Sequence, residues 1–363
     1  MKLLRLRSFA ASFAVVGAAV VLAAASATPA AAWGRKKPPP PPPPPVEQEV
    51  PVGPPVLAGY VLDQASAYAT YMRTASGIGS SFASGDAVAA ALRLGVHGED
   101  RQLQQGMVAY AAIVALQDPT FTATVRDFAK LPSHRDALIR NILTDPNYVL
   151  ALKGHDTAAG LIMASLNAQG SALQAAGEAV RKASYDVQLK APWSKRPVPN
   201  QDGRLQEAKL LSSSPLAPAE DLKAELTQAS TGAAALGISA APQEGPYSPS
   251  VVRAMALAAL AILGKAGDQD MAYVQALLVN DADAYCFNMA KLNLYQCLSV
   301  ARPYYEDMYC LGLHAMADKG RCVIASAGPV KAALPVSASV VTTALPAVAQ
   351  VGAPPDAPAR EAR

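Results

Sequence analysis

The chain has little of what enzymes use for chemistry. Histidine occurs four times (His97, His134, His155 and His314), tryptophan twice and phenylalanine six times in 363 residues, and charged residues make up 16%. The spacings that would make such residues catalytic are missing as well. H-E-x-x-H does not occur, which excludes the helical zinc-peptidase pair; G-x-S-x-G and G-x-x-x-x-G-K-[ST] do not occur, which excludes the nucleophile elbow and the phosphate loop. No serine stands three residues before a lysine, so there is no S-x-x-K nucleophile. Gly77-Ile78-Gly79 opens like a dinucleotide fingerprint, but no strand precedes it and it ends wrongly. Asn280-Asp281-Ala282-Asp283 lacks the glycine and closing glutamate of a calcium loop, and reads as a helix cap and first turn. No cofactor is indicated. Sustained alternation of β-branched residues is absent too, which argues against sheet.

What is present begins with an address. Lys2, Arg5 and Arg7 precede an almost wholly apolar run, and Ala30-Ala31-Ala32 supplies small residues before Trp33. That is the pattern of a cleaved secretory leader over residues 1–32, alanine-rich in a bacterial style, and it predicts a periplasmic or secreted protein. The competing reading is an uncleaved anchor, since the run is long enough to span a bilayer. Cleavage removes three basic residues and no acid, leaving 28 of each sign. A balanced mature chain gives no electrostatic case for nucleic acid, and after cleavage no membrane span is expected.

Residues 33–56 hold the run Pro38 to Pro45, a polyproline II rod expected to act as a spacer. Residues 324–363 are Ala, Val and scattered Pro, and are expected to form a disordered tail. Between them the chain reads as helix after helix, an all-α body. Asp118-Pro119, Asp145-Pro146, Ser214-Pro215 and Ser248-Pro249 each pair an N-cap residue with a proline at the first helical position. Ser133 and Asp136 resemble a capping box, and Asp156 is expected to cap a long helix over 156–189. The body divides into a helical half at 57–190, a Pro/Gly-interrupted connection at 191–247 in which Trp193 docks the loop onto the core, and a second helical half at 248–323. One compact domain and two joined halves are both open. Within 156–189, Leu166, Leu173, Val180 and Val187 recur every seven residues, with Ile162, Ala176 and Ala183 beside them, a seam whose small residues allow close helix approach. The apolar stretch 251–263 predicts a buried central helix.

All four cysteines, Cys286, Cys297, Cys310 and Cys322, fall in one short stretch. An exported chain with an even set predicts two disulfides. Cys286 and Cys297 share a helix face but lie about 16 Å apart along the axis, from the ~1.5 Å rise, which is too far to bond. If the chain folds back at Ala301–Pro303, facing residues have a constant index sum. Cys286–Cys322 and Cys297–Cys310 give 608 and 607, while the crossed pairing gives 596 and 619. The expected product is an antiparallel helical hairpin stapled at both ends. Gly320 is expected to end the second helix before Cys322, so the chain must bend back there; a larger bend leaves Cys310–Cys322 open.

Three functional readings follow. The first is a non-enzymatic envelope protein that binds a protein or cell-envelope partner through the hairpin, where Tyr285, Tyr295, Tyr304, Tyr305 and Tyr309 cluster. The competing role for those rings is to pack the hairpin against helix 249–264. The second is a small-ligand carrier or envelope enzyme with a cleft between the helical halves, using His155, Asp156 or His314. The third is a metal site built from Cys297, Cys310 and His314, since positions 310 and 314 share a helix face.

Overall fold

Two helices that are apolar nearly all round must be covered on every side, and they form the centre of the body. The computed structural model describes residues 47–329. The expected leader, the Pro38–Pro45 run and most of the expected tail lie outside the described residues. In chain order the helices are α1 (Gly59–Ser76), α2 (Gly85–Val96), α3 (Asp100–Ala115), α4 (Pro119–Ala129), α5 (Pro132–Thr144), α6 (His155–Tyr185), α7 (Gln201–Leu211), α8 (Glu220–Thr231), α9 (Pro249–Ile262), α10 (Met271–Leu278), α11 (Asp281–Val300), α12 (Tyr304–Cys310) and α13 (Asp318–Ala327). A π-helical stretch, Leu311–Ala317, joins α12 to α13 into one continuous rod. Among the described residues there is no strand, only an isolated bridge between Pro197 and Pro303.

Every residue of α3 from Leu103 to Ala115 is buried, and in α9 from Ser250 to Ile262 only Arg253 is not. The two helices pack against each other, with α1 on the far side of α3. One belongs to the first helical half and the other to the second, and a single hydrophobic core runs from Ala58 to Ala327. The connection 191–247 wraps this core from outside. Trp193 sets its ring edge-on to Tyr304 at 6.4 Å, and the side chains of Arg204 on α7 and Asp307 on α12 form a buried ion pair. Asn280, Ser250 and Ser326 all donate to the buried Asp283 carboxylate, tying α9, α11 and α13 together.

Several local expectations are corrected. Asp118 and Ser248 cap α4 and α9 as their spacing predicts, but Asp145 caps only a short 3-10 turn. Ser214-Pro215 starts no helix, because α8 begins later, after Ala219. Asp156 lies inside the first turn of α6; Gly154 takes the N-cap at φ 87°, a left-handed conformation that suits glycine. At α5 no capping box forms. Glu47 instead reaches across from the N-terminal segment and accepts from the Ser133 amide at 2.6 Å and from its hydroxyl. The same segment is bonded through Val50 to Lys130 and through Val56 to Ala261, so residues 47–56, assigned to the spacer, are a strap along the body. At the other end, 324–327 belongs to α13 rather than to the tail.

The long helix α6 lies antiparallel to the α12–α13 rod, and glycines set how closely. A Cβ on Gly177 would meet the Ala317 amide nitrogen and the Gly312 carbonyl oxygen, each at 2.5 Å; one on Gly320 would meet the Gln174 amide nitrogen and the Gly170 oxygen, each at 2.6 Å. Backbone therefore touches backbone at two points. Gly320 does not end the helix, because its missing side chain is what admits α6. Leu166, Leu173 and Val180 line this seam, fully buried, while Val187 lies past the end of α6 and is 66% exposed.

The π-helical stretch explains the register. The contact points are 7 residues apart on α6 (Gly170, Gly177) and 8 apart on the rod (Gly312, Gly320). The cysteines repeat the mismatch, 11 apart on α11 and 12 on the rod. One extra residue in an uninterrupted α-helix would turn the second contact about 100° away, from 3.6 residues per turn. A π-turn absorbs one residue without that rotation, and the Asp318 amide duly bonds five residues back, to Leu313. Deleting half-buried Leu313 is thus expected to convert the stretch to α-helix and keep both disulfides, whereas deleting Asn293 from α11 scrambles them. Non-reduced peptide maps of the two variants check this.

Candidate functional site

The hairpin is built from α11 and the α12–α13 rod. Disulfides join Cys286 to Cys322 and Cys297 to Cys310, with Cα separations of 5.7 and 5.6 Å, and no described cysteine is free. This is the nested pairing. Two disulfides place the folded chain in an oxidising compartment outside the cytoplasm. They also remove the metal reading, since Cys297 and Cys310 have no thiolate to offer. His314 meets Asp318 through Nδ1 at 2.7 Å instead. Among the described residues no three His, Cys, Asp or Glu side chains are placed to hold a metal ion, and no helix is long and apolar enough to cross a membrane.

The five hairpin tyrosines do not form one surface, nor do they pack on α9. Tyr295 reaches the Ser212 hydroxyl at the end of α7, with Lys209 above its ring. Tyr304 lies under Trp193 and fills the space left by Gly85. Tyr305 and Tyr309 flank Tyr185 of α6 edge-to-face, at 5.4 and 5.5 Å. Tyr185 is half exposed, and sequence spacing could not connect it to a helix more than a hundred residues away. Only Tyr285 stands free, 67% exposed.

Tyr285 belongs to a longer feature. Past the first turn of α11 the exposed positions are Tyr285, Asn288, Leu292, Gln296, Ser299 and Val300, which fall on one stripe of a helix of 3.6 residues per turn. None of these six carries a charge; the charge on this stripe is Asp281, one turn before Tyr285. The only charged residue from Ala284 to Ala301 is Lys291, and it turns aside to Asp100 at 2.7 Å. Tyr285 stands near the N-terminal end of the stripe and Leu292 at its middle, 67% and 40% exposed.

His155, Asp156 and His314 do not converge. His155 opens α6, bonding the Leu152 carbonyl through Nδ1 at 2.9 Å and resting edge-on to Tyr247. The glycine contacts put His314 opposite the neighbourhood of Ala176, about 30 Å along α6 from His155 by helical rise. A cleft between the halves does exist elsewhere. It has a volume of about 320 Å³ and lies between the first turn of α3 and the start of α11, lined by Glu99, Asp100, Arg101, Val279, Ala284 and Lys291 among others.

Behind this cleft stands a charge that sequence reading missed. Lys319 is 1% exposed, with its ammonium 4.7 Å from the centre of the Tyr71 ring. The Tyr71 hydroxyl is held by the Gly95 and Ala315 carbonyls, so it offers the lysine only its π face. Burial lowers the Lys319 ammonium to about 8, with Asp100 pulling it back up and Lys291 pushing it down. The unfolded chain keeps that proton to about 10.5. The unfolded state thus binds more protons between these values, and stability rises with pH through the window. Below pH 8 Lys319→Met is expected to be at least as stable as the wild type. The wild type should then gain about 3 kcal/mol on it by pH 10.5. Urea unfolding of both proteins at pH 7 and pH 10.5 measures the difference.

No protein-family model matches the chain, and neither a curated protein nor a solved structure matches it.

Proposed function

We propose that the protein is a non-enzymatic interaction module of the bacterial cell envelope, periplasmic or secreted, whose contact surface is the outer face of α11. The supporting observation is the uncharged stripe Tyr285, Asn288, Leu292, Gln296 and Ser299 on a helix stapled twice from behind. A rigid face loses little conformational entropy on binding, and two disulfides with a glycine-tight seam hold this one. The leader accounts for export, and the Pro38–Pro45 run would hold the body off the surface it serves. The triple variant Tyr285→Glu, Leu292→Glu, Gln296→Glu changes only exposed positions, so both disulfides and the melting temperature should be retained. Affinity purification from envelope extracts should lose the partner recovered with the wild type. Recovery of the same partner with the variant overturns the reading.

A further inference from the structure

The cleft between α3 and α11 brings together groups that lack partners. No side chain caps the first N–H groups of α3, since Glu99 at the N-cap makes no such bond. Asp100, in the same turn, is 5% exposed; its Oδ2 forms an ion pair with Lys291 at 2.7 Å, and neither of its oxygens has a well-aligned hydrogen-bond donor. Lys319 lies behind it, 1% exposed, with a tyrosine ring for company and no acceptor among the described residues. Open N–H groups call for an anion, and a buried carboxylate oxygen without a donor calls for a cation or donor. The charged residues on the cleft wall balance, Glu99 and Asp100 against Arg101 and Lys291, which favours a ligand of no net charge. Val279 and Ala284 add an apolar wall.

We propose that this cleft binds a small zwitterion, an aliphatic α-amino acid. Its ammonium replaces that of Lys291 against Asp100. Its carboxylate takes the open N–H groups of α3 and the released Lys291, whose flexible stem lets the point charge swing a few ångströms. Lys319 cannot follow, being enclosed, and it keeps a positive charge behind Asp100 throughout the exchange. One lysine moves and one stays. The site borders the α11 face but does not depend on that face binding a protein.

Isothermal titration of the oxidised, full-length mature protein with L-valine and with L-leucine tests this. One-to-one binding of at least one is expected. N-acetyl-L-valine, which lacks the ammonium, and isobutylamine, which lacks the carboxylate, should each bind about tenfold more weakly or worse. Ala284→Trp fills the cleft and should abolish the heat with the melting temperature unchanged; if it does not fold, Asn288→Trp at the exposed rim serves the same purpose. No binding of either amino acid at millimolar concentration overturns the proposal. So does equal binding of the acetylated analogue, or undiminished binding by the filled cleft.

Discussion

Replacing Gly177 by alanine is expected to destabilise the protein by about 3 kcal/mol or more, although the same change in an ordinary helix would stabilise it by roughly 0.5–1 kcal/mol. The sign reverses because the new methyl would lie 2.5 Å from the Ala317 nitrogen and the Gly312 oxygen. Both are backbone atoms of a helix, and neither can rotate away. The α12–α13 rod must retreat from α6, and every buried side chain along the seam loses contact with it. Gly312→Ala should do the same from the other side, and the two changes together should cost less than their sum, since one retreat relieves both. Gly59→Ala is the control. At the start of α1 its Cβ would meet nothing closer than Asp268 at 4.0 Å, so no loss is expected. Chemical unfolding of the four variants and the wild type gives the comparison.

Removing the outer staple, Cys286→Ser with Cys322→Ser, is expected to cost about 4 kcal/mol, and removing the inner one, Cys297→Ser with Cys310→Ser, about 3 kcal/mol. The difference follows from the chain each bridge closes, 36 residues against 13. Because the inner loop lies within the outer, each bridge closes a shorter effective loop in the presence of the other, so the double removal should cost slightly more than the two single removals added. Non-reducing unfolding in denaturant reads all three. The outer staple also stands beside the Asp283 network that joins α9, α11 and α13, so its loss should loosen the Tyr285 end of α11 before the Gln296 end. Hydrogen exchange along α11 would show that gradient.

The all-α class and both disulfides were legible because they rest on local rules: proline after a capping residue, and an index sum that antiparallel helices must conserve. The sums of 608 and 607 carried more than they seemed to. Their difference of one is the extra residue of the π-helical stretch, and Gly170–Gly320 and Gly177–Gly312 repeat it as 490 and 489. Gly320 misleads when read alone, since glycine at a helix end and glycine at a helix crossing look identical in sequence. The candidate site was less legible. Tyrosines close in sequence are not close in space, because α12 turns three of them toward α6, α2 and the Trp193 loop, leaving Tyr285 on the open face. The signal that did mark this face was an absence: from Ala284 to Ala301, charge occurs once. Asp100 and Lys319 are more than two hundred residues apart, and no periodicity relates them. Only the packing of α3 against the hairpin brings them together.

The most direct test of the interaction face is site-specific photocrosslinking in the cells that make the protein. A photoreactive residue is placed in turn at Tyr285, Leu292 and Gln296, with Tyr148, exposed but far from the hairpin, as the comparison. Crosslinks to one discrete envelope protein from the three α11 positions, and none from Tyr148, are the predicted result. An α11 face that crosslinks to nothing, or no differently from Tyr148, would contradict it.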